Sequence, residues 1–230
     1  MSGAAEGGRS RIMGASRGAL GRGELSPESC AVLEARLRAG KSNLIPARSD
    51  RPHAAQVALF AEMAEGAQAS VAKVADAAQV PGAVADYLAR NNLPSEIIMA
   101  PDKALDAYPW ARRPMLNVRR GRAEDADQVS VTGAEMAFAE TGTLMLTSHA
   151  ERPSTLNFLP ETHIVVLRAE QITGAYEEGW RRLRAQAENG GNMPRTVNLI
   201  TGPSRTGDIE QRMQLGAHGP RRLHIIIVGK

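Results

Sequence analysis

From Val129 onward the chain alternates short apolar runs with helix-patterned polar segments, and this pattern restricts the fold more than any other feature. The runs are "VSVTG", "GTLMLTS", "HIVVLRA", "TVNLITG" and "RRLHIIIVG". "HIVVLRA" and "RRLHIIIVG" are close to continuously apolar, as strands covered on both faces must be. Between the runs the sequence predicts a short helix around "AEMAFAE", a half-helix in "RPSTLNFLPE", a helix over "AYEEGWRRLRAQAE" and another beginning near Pro203. Strands alternating with helices predict an α/β fold with a mainly parallel sheet flanked by helices.

Residues 24–92 read as mostly helical. In "SPESCAVLEARLRAG", Ser26 is an N-cap, Pro27 takes the first helical position and Gly40 is a stop signal. "RPHAAQVALFAEMAEGAQ" and "VPGAVADYLARNNL" continue the helical period, while "SVAKV" is short and β-branched and "SEIIMA" reads as a buried strand. Across 101–126 only "MLNV" stands out as a strand. Aromatic residues make up 3% of the chain, so its interior must be built from small aliphatic side chains.

Residues 1–23 carry Arg9, Arg11, Arg17 and Arg22 against Glu6, which accounts for the whole net charge of +3. The rest of the chain is neutral. A disordered basic arm over 1–23 is expected, followed by a single domain over 24–230. Without a basic face on the body and with few aromatic rings for stacking, nucleic-acid binding is not expected. No apolar run reaches the roughly 18 residues a membrane span requires. The opening residues lack the apolar centre of a secretory signal, and a single cysteine, with no disulfide possible within the chain, leads to the expectation of a cytoplasmic location.

Cys30 is the single cysteine. This chain alone therefore cannot form a disulfide within itself, an all-cysteine zinc site or a four-cysteine iron–sulfur cluster. Its place in a helix reads as packing. The histidines show no metal-ligand spacing, so no metal site is expected.

Three polar, glycine-bearing segments could carry chemistry: "AETGT" (139–143), "TGPSRTGDIE" (201–210) and "LGAHGPRR" (215–222). In "TGPSRTGDIE", Gly202 permits a sharp turn and Pro203 fixes the entry to the expected helix. Amides from Ser204 onward could then face an anion, with hydroxyls from Ser204 and Thr206 and a bidentate grip from Arg205. Against this, Asp208 and Glu210 already complement a positive helix end and repel phosphate. Residue chemistry leaves three readings open: a capped turn, an anion cradle, or catalysis by Ser204. Glu140 is either a base or nucleophile at the mouth of a buried strand, or a cap of its turn. His218 sits between two glycines, either as a functional group or as part of a constrained turn. The cradle reading requires these separate bends to meet at one sheet margin, where loops at the carboxyl ends of strands converge.

Taken in order, "AFAETGTLML", "LPETHIVVL" and "LITGPSRTGDIEQRMQLGAHGPRRLHIIIV" resemble the lactate utilization protein C family, whose core is the LUD domain. The likeness runs over about residues 30–230, and its specific part is the C-terminal half. It implies a fold like that of the ribose-5-phosphate isomerase, glucosamine-6-phosphate deaminase and CoA-transferase superfamily. It also implies a part in oxidising L-lactate to pyruvate beside two cluster-bearing proteins, of types A and B. Glu140, Thr141, Gly142, Thr143, Gly202, Pro203, Ser204, Arg205, Thr206, Asp208, His218 and Gly219 carry over as motif positions. On this reading Glu140 or His218 assists proton removal and the remaining positions hold a small anion or a cofactor whose identity the residues do not give. The competing functions are an isomerase, CoA-transferase or hydrolase with Glu140 at its centre, and a non-catalytic assembly protein.

Overall fold

The fold was obtained as a computed structural model, which describes residues 3–40, 44–188, 193–209 and 212–229. Two compact units divide the chain, Met1–Ser42 and Asn43–Lys230. The first contains α1 (Gly3–Ala19) and α2 (Pro27–Ala39). Residues 3–19 are thus helical where the sequence suggested a disordered arm. Alanine, arginine and methionine offset the cost of the glycines in α1, and Arg17 lies in its last turn, beside the carbonyl end. At α2 the capping follows the sequence: the Ser26 hydroxyl accepts from the Ser29 amide, and Gly40 closes the helix with φ 47°. The dividing line falls after α2 rather than before it.

The second unit holds every buried apolar side chain among the described residues. Its main sheet has six strands, in the order β1 (Ser70–Val74), β12 (Arg222–Val228), β7 (Thr162–Arg168), β4 (Val129–Gly133), β2 (Glu96–Met99) and β3 (Asn117–Arg120). All its pairings are parallel. The strand period of two separates its faces. Val165, Leu167, Leu223, Ile225 and Ile227 pack on one side with α3 (His53–Gly66). On the other side Ile164, Val166 and Ile226 pack with Val80, Val84 and Leu88 of α4 (Val80–Arg90).

A second sheet of four strands shares the α3 side, in the order β8 (Ile172–Thr173), β5 (Met136–Phe138), β6 (Thr143–Thr147) and β9 (Val197–Ile200). β6 runs antiparallel to both of its neighbours. "AEMAFAE" therefore contains a strand and not the helix its sequence suggested. Ala137, Leu144 and Leu146 face the main core, whereas Met136, Phe138 and Met145 meet Leu183 of α7 (Tyr176–Glu188). Gly179 of α7 lies on the Phe138 ring, where a Cβ would collide with it.

Two short helices complete the unit, α5 (Lys103–Asp106) and α6 (Thr155–Phe158). The helix expected from Pro203 is instead an antiparallel pair, β10 (Arg205–Ile209) and β11 (Arg212–Leu215), which forms a two-stranded sheet of its own among the described residues. Gly-Pro-Ser resembles a helix entry only locally.

Candidate functional site

The second and third glycine-bearing segments meet. The Ser204 amide donates to the Pro220 carbonyl at 2.9 Å, and the Gly216 amide donates to the Ser204 carbonyl at 2.9 Å. Gly202, Pro203, Ser204, His218, Gly219 and Pro220 thereby line a hollow of about 180 Å³, with Asn157 and Phe158 of α6 opposite. His163 and Leu223, which also line it, stand near the amino ends of β7 and β12. This margin is opposite to the one expected, because β9, which precedes Gly202, belongs to the mixed second sheet and not to the parallel one.

The first segment reaches this neighbourhood through hydroxyls. Thr143 Oγ1 lies 2.6 Å from Thr201 Oγ1, and Thr141 and Thr143 both bond the Tyr176 hydroxyl. Glu140, however, turns to α7. It is buried, and its Oε1 accepts from the Tyr176 amide at 3.0 Å, so it caps the first turn of that helix. Neither Glu140 nor Arg205 is among the residues that line the hollow with His218.

Arg205 is exposed and donates to the Ala67 carbonyl at 3.1 Å, at the C-terminus of α3. Gly202, with φ 70°, packs on the same carbonyl, and Gly142, with φ 67°, packs on the backbone of Met63 and Ala64. A Cβ at either glycine would collide with α3. The segment thus sits at the negative end of a helix dipole, and the Ser204 amide has an internal partner. These are not the features of an anion cradle at a helix N-terminus. Thr206 pairs with Gln214 in the ribbon, and the side chain of Asp208 lies outside the described residues, as does Glu210. Among the described residues no histidine bonds the Ser204 hydroxyl, so nothing there activates it as a nucleophile.

Two buried histidines carry the largest shifts. His163 Nε2 lies 2.7 Å from Thr132 Oγ1 while Nδ1 has no partner among the described residues. Burial pushes His163 down to about 3 and His224 down to about 4. His224 stacks on Tyr87 with ring centroids 3.9 Å apart and bonds Ser70 Oγ through Nδ1. Both are neutral at pH 7.

A polar cluster that the sequence did not suggest lies at the carboxyl margin of the main sheet. Arg152 Nε donates to Asp102 Oδ2 at 2.6 Å, and its Nη1 donates to Glu135 Oε2 at 2.5 Å. Asp102 Oδ1 caps α5 through the Ala104 amide, and Glu135 Oε1 accepts from Gln186. Arg152 is raised above its usual range because the two carboxylates outweigh its burial. Its three members come from three separate connections and share no local spacing. No group of three or more His, Cys, Asp or Glu suited to a metal occurs among the described residues. No described helix is long and apolar enough to cross a membrane.

The model of the LUD domain matches residues 57–228. Lactate utilization protein C of Deinococcus radiodurans is 35% identical over 156 residues, covering 66% of this chain and 70% of that protein. Lactate utilization protein C of Geobacillus thermodenitrificans is 35% identical over 106 residues, 46% of this chain and 44% of its own length. The chain spans about half the length of the Geobacillus relatives it matches. A crystal structure of a DUF162 family protein from Deinococcus radiodurans is 27% identical, with a TM-score of 0.58, covering 78% of this chain and 99% of that one.

Proposed function

The chain belongs to the LUD-domain family, within its lactate utilization protein C branch, and from that premise we propose that it serves L-lactate utilization as a ligand-holding subunit of a lactate-oxidising assembly. The observation that carries this reading is the 35% identity over 70% of the Deinococcus relative. L-Lactate gives up two electrons and two protons on becoming pyruvate, and natural side chains do not accept them. With one cysteine, the chain cannot supply a four-cysteine cluster, so the electrons pass to iron–sulfur partners of types A and B in the cytoplasm.

The ligand occupies the hollow between the two glycine-bearing segments. At about 180 Å³ the hollow suits a molecule of a few heavy atoms, with Ser204, His218, His163 and Asn157 as polar residues in a lining that also includes Leu199, Ile200 and Leu223. Acyl transfer through Glu140 draws no support, because its carboxylate is buried and holds the Tyr176 amide.

The test is lactate-dependent reduction of an artificial acceptor by the chain alone, by its cluster-bearing partners alone, and by the mixture. Activity is expected only in the mixture, and the Ser204→Ala, His218→Ala double variant should lower it while the complex still assembles. Turnover by the purified chain alone, or an undiminished rate when the chain is left out, defeats the proposal.

A further inference from the structure

The unit Met1–Ser42 adds no residue to the core, yet it carries large apolar side chains at helical spacing. Residues three and four apart are neighbours on a helix, so Arg9, Met13, Arg17 and Leu20 share one face of α1. Leu20 continues the helix, since its amide bonds the Ser16 carbonyl. In α2 the same spacing recurs at Cys30, Leu33 and Leu37. Met13, Leu20, Leu33 and Leu37 are all exposed, and α2 buries no residue at all. A merely solvated tail has no need of such side chains.

Where the chain bends between α1 and α2, Met13, Leu20, Leu25 and Cys30 line a hollow of about 750 Å³ together with Arg17 and Arg22. Cys30 belongs to both features, so the apolar stripe of α2 runs on from the hollow. Neither guanidinium has an ion-pair partner among the described residues. Glu24 also lines the hollow, and with two arginines against it the rim stays positive. Apolar side chains and free cations thus stand side by side instead of on opposite faces.

Charge selects what covers them. Arg9, Arg11, Arg17 and Arg22 against Glu6 hold the whole net charge of +3, so a second copy of this unit is repelled and an anionic surface is attracted. Nucleic acid answers the charge but makes no use of aliphatic side chains on the same face. At a lipid surface leucine and methionine enter the acyl boundary while arginine heads stay level with the phosphates. No described helix is long and apolar enough to cross a bilayer, so these helices lie in its plane. The core lends α1 no stability, and a surface that takes up its apolar face supplies what tertiary packing does not. We propose that Met1–Ser42 docks this protein on an anionic lipid surface through Met13, Leu20 and Leu25 and the arginines beside them. This role is separate from the hollow formed by the glycine-bearing segments and does not depend on lactate oxidation.

The experiment sediments the full chain with vesicles of phosphatidylcholine and phosphatidylglycerol in equal parts, and with vesicles of phosphatidylcholine alone, in about 0.1 M salt. The chain should partition onto the first and not onto the second. The Arg9→Gln, Arg11→Gln, Arg17→Gln, Arg22→Gln variant should partition at least about a hundredfold more weakly, the combined effect of four basic side chains near an anionic surface. Met13→Ser with Leu20→Ser should weaken partitioning at least about tenfold through lost apolar burial. Neither variant alters a core residue, so lost binding is not lost folding. No partitioning onto the anionic vesicles, or equal partitioning onto both kinds, overturns the proposal. A Met13→Ser, Leu20→Ser variant that binds as tightly as the natural chain also overturns it, because charge alone serves a nucleic acid or an acidic protein equally well. The readout needs neither lactate nor a partner protein, so its failure leaves the lactate-oxidation assay unaffected.

Discussion

Single residues separate capping from chemistry. The Glu140→Ala change leaves the Tyr176 amide of α7 without its partner, so a loss of about 1–2 kcal/mol in urea unfolding is expected. Glu140→Gln keeps an acceptor oxygen and should cost less than about 1 kcal/mol while preserving the rate of the assembled system, an outcome a nucleophilic glutamate would not allow. The buried histidines make a pH prediction with a definite sign. Their folded values, about 3 for His163 and about 4 for His224, lie below the unfolded value near 6.5. Between those limits the unfolded chain binds more protons. Stability is therefore full above pH 6.5 and falls as the pH drops, by up to about 1.4 kcal/mol per pH unit for each histidine. Urea midpoints from pH 7.5 to 4.5 measure this slope, and His224→Phe, which keeps a ring over Tyr87, should reduce it.

At the scale of elements, the C-terminal turn of α3 organises both glycine-bearing bends. Gly142 and Gly202 have positive φ and lie against its backbone. Gly142→Ala or Gly202→Ala combines a left-handed alanine with a backbone collision, and each is expected to lower the stability measured by denaturant unfolding by at least about 2 kcal/mol. What the sequence disclosed follows the same local logic. "HIVVLRA" and "RRLHIIIVG" are apolar without a break because both faces of β7 and β12 are covered, and that pattern survives in one dimension. β5 is three residues long, and its Met-Ala-Phe alternation was too brief to outweigh the helical character of its flanking alanines and glutamates. Gly-Pro-Ser looked like a helix start because cap chemistry and turn chemistry use the same residues, and only pairing with "RMQL" distinguishes them. The cradle reading required three bends to meet at one margin, and the structure joins the second and third directly, through Ser204 and Pro220, at the other margin. The Asp102, Arg152 and Glu135 cluster was not legible, since ordinary surface residue types gain their meaning only once β2 and β4 are neighbours.

For the molecule as a whole, the division of the chain assigns stability to one part. Every buried apolar side chain among the described residues lies beyond Ser42, and α2 buries none. A chain restricted to 43–230 should therefore keep one cooperative thermal transition, with a midpoint within about 4 °C of the full chain, the shift that about 1 kcal/mol produces at this size. Loss of cooperativity would mean that 1–42 contributes to the core. The place of β12 between β1 and β7 has another consequence, for synthesis. Until residues 222–228 leave the ribosome, the strands on either side expose unpaired edges to every other nascent chain nearby. A message cut short before that point would yield a product prone to clumping rather than a slightly weakened protein.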